Sequence, residues 1–376
     1  MGSKKQKEEA SEELRKNPMK CGDFVVKEKQ CEKWLGQYLS AQGLADSVQK
    51  TIEAREGKIN GACQEIVEIV NDWRSRAAGG MESALLLWEA CVVPSLLAGS
   101  GTWVEMSATT TKKLNAIQIH FLRLVLQVGP GSPLSSLLWD SAMLDMGLRV
   151  WREKLMLLHH IRRLESKALA RITYEEQWEK KWPGLAREGE EICNELEIES
   201  VHSSGLEKQE FRTVVTNACH KLNEKRIRKH AEGKEKCTRI LNESYGKKNY
   251  LQDENITEVR NFYRTRFGLL PFAGNYSHDK KYARTNWLCR CNNAREVESH
   301  LTGGNCTLYN DIREKYGNLE NDSELVNFFQ EILERREEMD EAEEAGRNSD
   351  NALVVGPDQT LPDVPAPALG QEQARY

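Results

Sequence analysis

Cys289, Cys291, His300 and Cys306 are the residues of this chain whose types and spacing could do chemistry. They read C-x-C, then eight residues, then His, then five residues, then Cys. Three thiols and one imidazole therefore fall within eighteen positions. Such a set can surround one tetrahedral ion. Zinc is the ion it predicts, because zinc accepts mixed sulfur and nitrogen ligands and its structural sites are four-coordinate. One residue between two ligand cysteines is a tight spacing, and both sulfurs reach a common ion if Arg290 sits in a turn. Gly303 and Gly304 lie just before Cys306 and leave the loop free to fold back. The thiols must ionise to bind, and the adjacent cations Arg290 and Arg295 favour that. The alternative is a small domain in which the cysteines are buried free thiols and His300 lies on the surface.

The neighbourhood of this set mixes cations with aromatic rings. Lys280, Lys281, Tyr282, Arg284 and Trp287 precede Cys289, and Arg290 follows it. Upstream, Arg260 and Arg264 share a helical face at i and i+4, with Arg266 nearby. Cations neutralise phosphates and aromatic faces stack on unpaired bases, so these nine residues are candidate contacts for RNA or single-stranded DNA. The alternative is a solvated charged surface with rings tucked into a small core. A second basic run, Lys221 to Lys248, carries ten Lys/Arg against four Glu. There Arg226 and Arg228 are candidates to track phosphates, against the simpler expectation of an exposed helix laced with ion pairs.

Enzyme signatures are missing. The chain has no G-x-x-x-x-G-K-[ST], no G-x-S-x-G and no H-E-x-x-H. His159-His160 has no partner at ligand spacing along its helix, so packing or surface exposure is expected there. We therefore read no catalytic residues and no enzyme activity.

The elements that must position these residues are helical. The 376 residues are 39% hydrophobic and 30% charged, with a mean hydropathy of -0.64 and a formal charge of -5. That composition permits real cores beneath long solvated helix faces. The charged N-terminal residues, MGSKKQKEEASEELRKN, contain no apolar secretory segment, and no run of about 18 apolar residues suggests a membrane span. An intracellular protein of cytoplasm or nucleus is expected. In its reducing interior, clustered cysteines among the ten present are metal ligands rather than disulfides.

The predicted fold class is mainly α. Residues 1–20 read as disordered, and residues 21–165 as a helical bundle. Gly36 marks a turn after a short extended segment. Leu44, Val48 and Ile52, then Ile66, Val70 and Trp73, and the run from Met81 to Leu97 recur at helical spacing. Pro94 should kink or end its helix. An N-cap is expected around Thr109 to Thr111, ahead of a stripe from Leu114 to Val125 that Gly129-Pro130-Gly131 stops. Leu148, Trp151, Leu155 and Leu158 mark a further helix. Residues 166–255 read as a charged helical connector and 256–320 as a zinc-knuckle module. Residues 321–340 should form an amphipathic helix carrying Leu325, Phe328, Phe329 and Ile332. Residues 341–376, acidic and then rich in Pro, Gly and Ala, should be a disordered tail.

These features together resemble the C-terminal part of reverse transcriptases of non-long-terminal-repeat retrotransposons. Lys33-Trp34-Leu35-Gly36 is similar to the K-Y-L-G signature that follows the palm in that family, with Trp for Tyr. Ile52 to about Leu164, with Val93-Pro94, Glu105 and Leu114 to Leu126, resembles the helical thumb. Then come, in the family's order, the Arg-rich segment Val259 to Phe267, the two cysteines, Glu298-Ser299-His300-Leu301, Cys306, Tyr309 and Arg313. The resemblance covers about residues 20–320 and implies a thumb followed by a CCHC knuckle that engages template RNA or target DNA. Polymerase chemistry in that family needs an F/Y-x-D-D motif upstream, to hold two metal ions at the primer end. Only 32 residues precede Lys33, and Asp23 is the sole aspartate among them. The resemblance thus implies a non-catalytic remnant that binds zinc and RNA or single-stranded DNA. Two alternatives stand beside it: a helical scaffold with a purely structural zinc and a protein partner on its bundle, or a decaying mobile-element fragment without selected function.

Overall fold

The computed structural model of the chain describes residues 20–21, 24–25, 31–34, 36–71, 80–234, 237–252, 255–270, 272, 288–291, 294, 296–303, 306–317, 319 and 322–353. The fold is mainly α, as the periodicity predicts. Trp73, residues 1–19 of the expected disordered segment 1–20, and residues 354–376 of the expected disordered tail 341–376 lie outside the described residues. Two compact units are formed, residues 1–300 and residues 301–376. No described helix is long and apolar enough to cross a membrane.

The first unit opens with two antiparallel hairpins. β1 (Lys20–Cys21) pairs with β2 (Phe24–Val25), and β3 (Cys31–Trp34) pairs with β4 (Gln37–Ser40). Gly36 makes the second turn with φ +80, a left-handed conformation that glycine adopts without a Cβ clash. The outer edge of β4 is closed by helix α1 (Leu44–Asn71) rather than by another strand. The Tyr38 amide donates to Thr51 Oγ1 and the Ser40 amide to Ser47 Oγ, both at 2.8 Å. Side-chain hydroxyls thus satisfy an edge that would otherwise be a template for pairing.

Val48, Ile52, Ile59, Cys63, Ile66 and Val70 form the buried face of α1, while Leu44 at its start stays exposed. The next helix shows how the chain accommodates Pro94. α2 (Gly80–Leu87) runs into a π-turn (Trp88–Val92) and then α3 (Val93–Leu96), in which Val93 N–H reaches Trp88 O. Proline lacks the amide its turn requires, and one wider turn lets the axis continue past it. The helix therefore neither breaks nor ends at Pro94.

α4 (Ala108–Leu126) starts earlier than the Thr109–Thr111 run suggests. Ser107 is the cap, and its Oγ accepts from Thr110 N at 3.1 Å. The helix also stops before Gly129, because Gln127 turns left-handed at φ 50. Trp88 stacks on Phe121 with centroids 4.5 Å apart at the centre of the first core. α5 (Leu134–Ser141) adds Leu137 and Trp139. α11 (Ile256–Arg266) adds Val259 and Tyr263, with Phe267 just beyond its end. This last helix, read from sequence as part of the knuckle module, belongs instead to the main core. Its apolar residues at i, i+4 and i+8 bury there.

A second core replaces the expected charged connector. α6 (Met146–Arg162), capped by Asp145, buries Leu148, Leu155 and Leu158. Against it lie α7 (Leu169–Glu179), α8 (Leu185–Glu195) and α9 (Lys208–Ala231), with Tyr174, Ile192, Phe211, Val215 and Cys219 inside. Apolar residues are sparse in this stretch, but each helix gathers its own on one face, which is enough to build a core. A Cβ added to Gly189 would lie 2.2 Å from Leu158 Cδ1. A short helix, α10 (Thr238–Asn242), follows.

In the second unit, α13 (Asn310–Tyr316) packs on α14 (Asp322–Leu353) through Ile312, Leu325, Phe328, Phe329 and Ile332. The amphipathic helix is thus present, but it runs on through the acidic segment to Leu353 rather than ending near 340. Glu and Ala are strong helix formers and extend it without needing a buried face.

Candidate metal centre

Cys289, Cys291, His300 and Cys306 converge. One ligand atom from each lies within 4.8 Å of all the others. Cys289 and Cys306 are fully buried and His300 is 8% exposed. Local backbone geometry brings the set together. Cys289 N–H donates to Ala294 O at 2.9 Å, folding the segment back on itself with Arg290 and Cys291 in a turn. Cys306 N–H reaches Gly303 O at 3.5 Å. His300 lies within the short helix α12 (Glu298–Thr302), its amide bonded to Val297 O at 3.0 Å.

The donor set fits a tetrahedral thiophilic ion. Cys291 Sγ and His300 Nε2 stand 3.2 Å apart. Zinc–sulfur and zinc–nitrogen bonds of about 2.3 and 2.0 Å at a tetrahedral angle place such a pair about 3.5 Å apart. The expectation that Arg290 sits in a turn is met, while Arg295 lies outside the described residues. Among the described residues, the other buried thiols belong to no such cluster. Burial pushes Cys63, Cys193 and Cys219 each up to about 11, which keeps them protonated and unreactive at neutral pH.

Two supports of this centre were not legible from motif spacing alone. Glu298 Oε1 accepts from the Leu270 amide at 3.3 Å, tying the His300 helix to the turn that follows α11. Arg313 Nη2 donates to Leu301 O at 2.8 Å and to Cys306 O at 3.0 Å. The only sequence signal for Arg313 is its place in the resemblance, seven residues after Cys306.

The candidate nucleic-acid contacts separate into three groups. Lys280, Lys281, Tyr282, Arg284 and Trp287 lie outside the described residues. Arg290 is half-buried beside its two cysteines. Of the α11 arginines, Arg260 and Arg266 are buried and Arg264 is half-buried. Arg260 is 6% exposed and donates to Val125 O and Asn71 Oδ1, both at 2.7 Å. Burial pulls its pKa down to about 10, which leaves it a cation at neutral pH. Arg264 donates to Gln127 O at 2.7 Å. The shared face of these two arginines therefore covers the C-terminal carbonyls of α4, where cations are favoured. Arg266 is buried against Asp140 and Glu243.

Two α9 arginines are held within the fold, Arg226 while remaining exposed and Arg228 while partly exposed. Arg226 pairs with Glu195 at 2.6 Å and lies over Trp151. Arg228 pairs with Glu224, lies over Trp139 and donates to the carbonyls of Ile240, Leu241 and Glu243. Lys221, Lys225 and Lys229, one turn apart on the same helix, stay exposed. His159 is buried, stacked on Phe211 and bonded to Leu206 O, and His160 is exposed, so neither stands as a ligand.

Comparisons with protein-family models, with curated proteins and with solved structures find no match to this chain.

Proposed function

We propose that this chain binds one zinc ion through Cys289, Cys291, His300 and Cys306, and that it is a non-catalytic, nucleic-acid-binding relative of the thumb and knuckle end of a retrotransposon reverse transcriptase. The convergence of four ligand atoms within 4.8 Å carries the metal reading. The donor chemistry, three thiols and an imidazole, favours zinc over harder ions. When bound, zinc cross-links the backbone at three places within eighteen residues; it supplies structure rather than reaction. The nucleic-acid reading rests on the sequence beside the site, where Lys280, Lys281, Arg284, Tyr282 and Trp287 alternate charge with rings. The exposed lysines of α9 add a further cationic surface.

Two measurements test the reading. Metal analysis of the purified chain should give one zinc per molecule, and the Cys289→Ser/Cys306→Ser variant should hold none. Anisotropy with labelled single-stranded RNA and DNA should show binding that weakens between ~50 and ~200 mM salt and weakens further on chelation. A zinc-free preparation ends the metal reading; zinc without any polynucleotide binding ends the second half.

One observation favours a competing reading. Arg260 and Arg266 are committed to internal partners, which removes two of the nine expected contacts. A helical scaffold with a purely structural zinc would show the same burial. Binding that persists unchanged at high salt, or no binding at all, would select it.

A further inference from the structure

We propose that Arg313 is a positioning residue of the metal centre, holding the Cys306 loop in the coordinating geometry through a two-carbonyl brace. The inference rests on the zinc reading above. Arg313 projects from α13, and its Nη2 bridges Leu301 O at 2.8 Å and Cys306 O at 3.0 Å. Those carbonyls bracket the loop between His300 and Cys306, so one guanidinium fixes both ends of the segment that must fold back. Nη1 bonds Asn310 Oδ1 at 2.6 Å, which orients the fork. A planar guanidinium suits this task, because its donors are held in one rigid frame.

Electrostatics point the same way. Arg313 Nε is buried without a hydrogen-bond partner. Leaving a charged donor so placed is costly unless something compensates. A divalent ion with three thiolates and a neutral imidazole carries one net negative charge. A cation bonded to the Cys306 carbonyl offsets that charge and lowers the cost of burying it. Groups that hold metal ligands from behind are typical determinants of affinity.

The test uses the full chain as Arg313→Met and Arg313→Lys, with zinc affinity measured by chelator competition and cobalt substituted for the spectrum. Arg313→Met should bind zinc roughly 10- to 100-fold more weakly. Its saturated cobalt spectrum should shift, because the Cys306 thiolate is no longer held in place. Arg313→Lys keeps the charge but cannot bridge both carbonyls, and should recover only a minor part of the loss. Affinity within twofold of wild type for Arg313→Met, or full recovery by lysine, overturns the brace. If Arg313→Met fails to fold with zinc present, Arg313→Lys alone decides by the same spectral and affinity criteria. A wild-type chain that takes up no zinc or cobalt would instead sink the zinc reading itself, so the two failures are told apart.

Discussion

Arg266 and Asp140 form a buried ion pair, with Nε 3.1 Å from Oδ2 and side chains 7% and 1% exposed. Tyr250 donates a second bond to the same carboxylate oxygen at 2.6 Å, and Arg266 Nη2 donates to Glu243 Oε2 at 2.7 Å. Burial pushes the Asp140 carboxyl up, with Arg266 opposing, while the Asp140 charge raises Arg266 against its own burial. The two shifts pull in opposite senses for the pair. We take the ionised pair as the working state, because a short carboxylate–guanidinium contact with two further donors and acceptors is satisfied only when both are charged.

Removing one partner should therefore destabilise the fold rather than alter ligand affinity alone. Arg266→Ala is expected to cost about 3–5 kcal/mol in denaturant unfolding, since it strands a buried carboxylate. A loss below about 1 kcal/mol would show the pair to be effectively solvated.

The α9 cations divide into arginines bound to ring and carbonyl partners and an exposed row of lysines, of which Lys221 pairs loosely with Glu197 at 3.8 Å. Lys221→Gln/Lys225→Gln/Lys229→Gln should fold normally and lower the salt slope of single-strand binding by about 2, at about 0.7 per phosphate released. Arg228→Glu should instead lower the melting temperature, because it breaks the carbonyl contacts to residues 240, 241 and 243. An unchanged slope in the triple variant would remove α9 from the binding surface.

Zinc should protect the ligand thiols. In the loaded chain, Cys91 is exposed and should alkylate first, while Cys63, Cys193 and Cys219 stay unreactive in their cores. Chelation should expose Cys289, Cys291 and Cys306 together, read by mass spectrometry of labelled peptides. Labelling at equal rates with and without chelator is the contrary result.

Asp311 provides a pH test in the second unit. The hydrogen bond from Arg335 Nη2 to Asp311 Oδ2, at 2.7 Å, holds its carboxyl down at about 2 against an ordinary 3.8. A depressed folded value means the contribution is present above the unfolded pKa and is lost as pH falls from about 4 toward 2. An NMR titration of the Asp311 carboxyl should give a midpoint near 2, moving toward 3.8 in Arg335→Gln. A wild-type midpoint at the ordinary value would mean the pair does not persist in solution.

Much of this was legible in advance where a single local rule acts. The ligand set follows from residue type and spacing. The α1 stripe of Val48, Ile52, Ile66 and Val70 follows from the helical period, and Gly36 from the need for a left-handed turn. Boundaries were less legible. Ser107, rather than the threonines after it, caps α4 because its extended backbone aims Oγ at the Thr110 amide, which no composition rule distinguishes.

What the sequence determined by itself was the helical class of the fold, the turn, and a metal-binding set confined to eighteen residues. In each case the interacting groups are near neighbours along the chain, so their types and intervals carry the geometry. What only the tertiary structure decided was the fate of the charges. Arg260 and Arg266 look like solvent-facing cations in sequence, yet each is buried against partners distant along the chain, Val125 and Asn71 for Arg260 and Asp140 for Arg266. A guanidinium can be buried whenever distant carbonyls and carboxylates satisfy its donors, and the chain must fold before those acceptors exist.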